Sequence, residues 1–135
     1  MSNALYDKGR EKFLRGEIAW QTDTIKLVLV DLADYTLSIS THEFLSDIPS
    51  GARVATTAAL GSKTTTAGVA DAADPVFSAA SGDQSEALVI YKDTGSAATS
   101  PLIGFIDTAT GLPVLPNTGD INVIFDSGAN KLFKL

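Results

Sequence analysis

Residues 24–31 read Thr-Ile-Lys-Leu-Val-Leu-Val-Asp, an aliphatic and β-branched run far short of the roughly 20 apolar residues that a membrane-crossing helix needs. The run predicts a core strand, with Ile25, Leu27 and Leu29 on one face by the two-residue period. A second run, residues 86–92, places Leu88 and Ile90 on one side and Ala87, Val89 and Tyr91 on the other, so both of its faces are expected to be partly buried. Asp93-Thr94-Gly95 then turns the chain and residues 102–107 return it. Residues 121–125 and 131–135 read as two strands around a turn at Ser127-Gly128-Ala129-Asn130. Further β-compatible stretches lie at residues 35–39, 53–57 and 76–79. Short strands at this spacing predict a mainly β, single-domain fold, an antiparallel β-sandwich or a small barrel.

Two helices accompany the strands. Residues 4–15 read as a short amphipathic helix with Asn3 as N-cap, Lys12 and Arg15 near its end and Gly16 as its stop. Gly9 inside it costs about 1 kcal/mol relative to Ala, so the helix needs a surface to dock on. Ser40-Thr41-His42-Glu43 fits a capping box, Ile39 and Phe44 fit a hydrophobic staple, and Pro49 ends this connector helix after about two turns. The domain reading is therefore an N-terminal helical arm, residues 1–16, followed by a β-rich domain, residues 17–135. On the arm, Leu5, Tyr6, Phe13 and Leu14 carry apolar surface. Together with Trp20 just beyond Gly16, they are the candidate protein-interaction residues, with a neighbouring subunit favoured slightly over the arm's own domain as the docking surface.

A chain of 135 residues suits one domain, which typically buries about two thirds of the surface exposed by the unfolded chain. With no cysteine, neither a disulfide framework nor a thiolate metal site can form. Ten Lys and Arg against sixteen Asp and Glu leave a formal charge of −6, a field that repels phosphate backbones and makes nucleic acid an unlikely partner. No membrane span is expected, and the charged N-terminus lacks the pattern of a secretory signal, so synthesis in the cytoplasm is expected.

The residues that could carry chemistry are few. His42-Glu43 begins the zinc motif His-Glu-x-x-His, but the second position is Ser46. Gly61-Ser62-Lys63-Thr64 lacks the glycine directly before lysine that a phosphate loop requires. The acid pairs Asp31 with Asp34 and Asp71 with Asp74 flank turns, where Asp bonds the local backbone. No nucleophile elbow and no calcium loop occur. No catalytic residue, metal ligand or cofactor is therefore expected, and the chain reads as a protein-binding domain.

Five stretches carry a resemblance: Ala4-Leu-Tyr-Asp-Lys-Gly-Arg-Glu-Lys-Phe-Leu14, His42-Glu-Phe-Leu-Ser-Asp-Ile-Pro49, Ala87-Leu-Val-Ile-Tyr-Lys-Asp-Thr-Gly95, Asp107-Thr-Ala-Thr-Gly-Leu-Pro113 and Asn130-Lys-Leu-Phe-Lys-Leu135. Together they resemble small virion structural proteins of tailed bacteriophages, nearly end to end. The resemblance implies a particle component without catalytic residues, made in the host cytoplasm and present in multiple copies or as a homo-oligomer. Within a virion, the acidic surface favours a capsid decoration or cement protein bound to the major capsid protein on the exterior. A neck or tail component is the alternative, and a receptor- or glycan-binding module, which would want more exposed aromatics, comes after it.

Overall fold

The computed structural model describes residues 4–73, 76–77, 81–82, 84–106, 115–116, 119–122 and 133–134. In chain order the elements are β1 (Ala4–Leu5), α1 (Asp7–Leu14), β2 (Ile25–Val30), β3 (Arg53–Thr56), β4 (Val69–Ala70), β5 (Val76–Phe77), β6 (Ala87–Lys92), β7 (Leu102–Ile106), β8 (Ile121–Asn122) and β9 (Phe133–Lys134). Single 3₁₀ turns lie at Leu45–Asp47, Ser50–Ala52 and Thr66–Gly68. The fold is mostly β, organised on one antiparallel sheet in the order β1-β7-β6-β2-β3, with two small pairings, β4 with β9 and β5 with β8.

The two aliphatic runs pair with each other at the centre, from Ile25 opposite Lys92 to Val30 opposite Ala87. Their register puts Leu27 against Ile90 and Leu29 against Leu88 on one face, and Val28 against Val89 on the other. Both faces are buried, but by different parts of the chain. On the first, Ile25, Leu27, Leu29, Leu88, Ile90 and Ile103 pack under Ile18, Trp20, Leu60, Ala70 and Phe77. On the second, Val28, Val30, Val89, Tyr91, Leu102 and Phe105 pack under Tyr6, Tyr35, Leu45 and Ile48. That double burial is why residues 27–30 are uninterruptedly aliphatic, where a sheet with one wet face would alternate. Each fully buried Leu, Ile or Val contributes about 1.5–3 kcal/mol.

Three expectations are corrected. The helix begins at Asp7, because Ala4–Leu5 instead pairs with Phe105 and Gly104 of β7 as an edge strand, and Tyr6, in extended geometry, takes the N-cap place expected for Asn3. Residues 35–39 are not a strand: the Ile39 carbonyl is used by the Asp7 amide (2.9 Å), which ties this segment to the start of α1. The connector helix is only the 3₁₀ turn Leu45–Asp47. Glu43 does not reach back to Ser40; its carboxylate lies 2.8 Å from the Lys12 ammonium, and Asp47 accepts the amides of Glu43 (2.7 Å) and Phe44 (3.0 Å) in its place. In addition, β8 pairs with β5 and β9 with β4, while the hairpin expected between residues 121–125 and 131–135 turns on residues that fall outside those described. The intervening 123–132, with 78–79, 107 and 135, lie outside the described residues.

Candidate interaction surface

The residues singled out for binding divide sharply by position. Leu5 and Tyr6 lie on opposite sides of the sheet, each inside a core cluster, and Tyr6 is 0 % exposed. Trp20 is buried, its indole N–H donating to the Asp71 carbonyl at 3.1 Å. Phe13 packs half-buried against the first cluster. Leu14 alone stands out, 88 % exposed at the end of α1. The docking surface of the arm is thus its own domain, contrary to the neighbouring subunit favoured from sequence. Leu5, Tyr6 and Trp20 are used up in folding, and of the five candidates Leu14, on the outer turn of α1, presents most of the apolar surface.

Gly9 explains how closely the arm docks. A Cβ at this position would lie 2.5 Å from the Leu102 carbonyl oxygen and 3.2 Å from the Ile103 Cα. The glycine that weakens the helix in isolation is what lets its backbone approach β7.

The polar groups nearest the arm form two connected sets. In one, the Lys12 side chain, 6 % exposed as a residue, reaches Glu43 (2.8 Å) and Glu17 (3.5 Å) and lies 5.1 Å from the centre of the Phe44 ring. Beside it, the Arg15 guanidinium, 2.8 Å from Glu17, holds that carboxyl below the usual carboxylate range. In the other, the Tyr6 hydroxyl meets the Tyr35 hydroxyl at 3.0 Å and Tyr35 meets His42 Nδ1 at 2.7 Å. Burial, followed by the bond to Tyr35, pushes the Tyr6 phenol far up, and burial raises Tyr35 as well. Burial pushes Asp47 up, but its two amide donors and nearby His42 outweigh that and hold its carboxyl low.

The other chemical candidates are also engaged in local structure. Asp31 accepts the Ala33 amide at 2.9 Å, as its turn reading implies. The Gly61–Thr64 stretch leads into a bridge between Thr64 and Asp71, and the Lys63 ammonium points back to the Leu60 carbonyl at 3.4 Å. Asp74 lies outside the described residues. Among the described residues, no group of three or more His, Asp or Glu is placed to hold a metal ion, and no helix is long and apolar enough to cross a membrane. Sequence reasoning missed both polar sets: Tyr6 is 29 positions from Tyr35, and no local spacing links them. The sole signal was negative, a lone His and a Lys among apolar helix positions. The chain matches no protein family model and no curated protein.

Proposed function

We propose that this protein is a non-catalytic virion structural protein, a decoration or cement protein that binds the major capsid protein on the exterior of a tailed-phage particle. The observation that carries the reading is the engagement of its reactive side chains: His42 is bonded to Tyr35, Glu43 to Lys12 and Asp31 to the Ala33 amide. Such bonds tie one segment of the scaffold to another. The five stretches quoted above add the resemblance to phage particle proteins. The net charge of −6 suits an outer surface better than one facing packaged DNA. In this reading the β4–β9 and β5–β8 pairings form part of a second layer over the first face of the sheet, giving a sandwich.

The test is to image particles made without the protein. Loss of density from the capsid exterior supports the decoration role, and its restoration by adding purified protein completes the case. Particles with missing neck or tail parts would move the assignment there, while intact particles that fail to adsorb would identify a receptor-binding module. Turnover of a glycan, ester or phosphate substrate that one carboxylate substitution abolishes would overturn the non-catalytic reading.

A further inference from the structure

We infer that the Tyr6–Tyr35–His42 chain is a proton-sensitive latch, in which protonation of His42 loosens residues 4–9 from the sheet. The hydrogens available to the chain decide its behaviour, whatever particle the protein belongs to. The chain has two contacts, Tyr6 to Tyr35 at 3.0 Å and Tyr35 to His42 Nδ1 at 2.7 Å. With Nδ1 unprotonated, the two phenolic hydrogens serve both: Tyr6 donates to Tyr35, and Tyr35 donates to the ring nitrogen. A proton on Nδ1 makes that nitrogen a donor, and three hydrogens then compete for the same two contacts. One hydroxyl hydrogen is left over between Tyr6, fully buried, and Tyr35, 4 % exposed. A buried donor without an acceptor is the costly case.

The charged groups around the chain set the opposing effect. Asp47, on the 3₁₀ turn, is the carboxylate whose charge bears on the chain. Its residue is exposed and its carboxylate already accepts two amides, so solvent screens it, whereas Tyr6 and Tyr35 are buried. Of the other charges on the flanking elements, Glu43 pairs with Lys12, Asp7 with Arg10 and Lys8 with Glu11, while Asp34, next to Tyr35 in sequence, is solvent-exposed. The latch holds the edge of the fold: β1 contributes two residues to the sheet, the Tyr6 amide donates to the Ile103 carbonyl and the Asp7 amide to Ile39, and Leu5 and Tyr6 each enter a core cluster. Loss of a hydrogen bond here raises the population of a local opening without unfolding the central strands.

Because His42 is the only histidine, its imidazole signals can be followed by NMR in the full-length protein while amide exchange is measured from pH 7.5 to 5. Exchange at the Tyr6 and Asp7 amides, normalised to Val28 in β2, is expected to accelerate about tenfold or more as the imidazole takes up its proton. His42→Asn, which accepts from Tyr35 but does not titrate, is expected to remove the step. Normalised exchange that stays flat in the wild type, a step displaced from the imidazole titration, or an equal step in His42→Asn overturns the latch.

Discussion

Replacing Gly9 with Ala tests whether the sheet, and not helix propensity, selects that residue. In an isolated helix the change gains about 1 kcal/mol. Here the new methyl would sit 2.5 Å from the Leu102 carbonyl oxygen, with the Ile103 Cα at 3.2 Å and the Ile103 oxygen at 3.3 Å. These are main-chain atoms of β7, which is paired to β6 on one side and β1 on the other, so they cannot swing aside. Relieving the shortest contact to about 3.2 Å requires the helix to back off by about 0.7 Å, in an interior packed too tightly to absorb such a shift. Overpacking against unyielding backbone belongs near the upper end of the usual range, about 3 kcal/mol. Offset by the propensity gain, the net destabilisation is about 2 kcal/mol, or a fall in Tm of roughly 6–10 °C for a chain of this length. Urea unfolding followed by the fluorescence of buried Trp20 would measure it. Gly51→Ala, where a Cβ would meet nothing within 4 Å, is the control and should change stability by less than about 0.5 kcal/mol. A Gly9→Ala protein as stable as wild type, or more so, would refute the close approach of α1 to β7.

Three further outcomes are expected. Glu43→Ala, which strips the buried Lys12 ammonium of its 2.8 Å partner, should cost about 1–2 kcal/mol in urea unfolding, more than Lys12→Met, which removes the charge itself and should cost less than about 1 kcal/mol. The carboxyls of Asp47 and Asp93 are held low in the folded state, Asp93 chiefly by Lys26 at 2.8 Å. The unfolded chain therefore takes up these protons first, and the stability they supply is complete above about pH 4–5 and declines as pH falls below that; the decline, read from Tm against pH, should flatten in Asp47→Asn with Asp93→Asn. Deleting residues 2–15 removes Leu5 and Tyr6 from the two core clusters and should abolish cooperative melting in near-UV circular dichroism; a truncated chain that melts near the full-length temperature would contradict the packing of the arm on its own domain.

The local pattern by itself determined the central strands. Residues 25–30 and 87–92 needed no partner to be recognised, because a short aliphatic and β-branched run bounded by turn residues is a property of a short window. The 86–92 run even announced burial on both faces. The turn role of Asp31 was legible for the same reason, as its bond to the Ala33 amide spans two residues. Tertiary structure decided what lies beyond such windows. Residues 4–5 chose β7 over the helix, and Glu43 chose Lys12 over Ser40, each because a distant partner offered a better contact than the local one. The candidate surface was reversed by the same cause. Apolar side chains on a short arm show that it must dock, but only packing reveals that Leu5 and Tyr6 fill this domain's own core while Leu14 remains outside. Gly9 is the sharpest case: its helix cost is local and visible in sequence, and the carbonyl 2.5 Å from where its Cβ would be belongs to a strand more than ninety residues away.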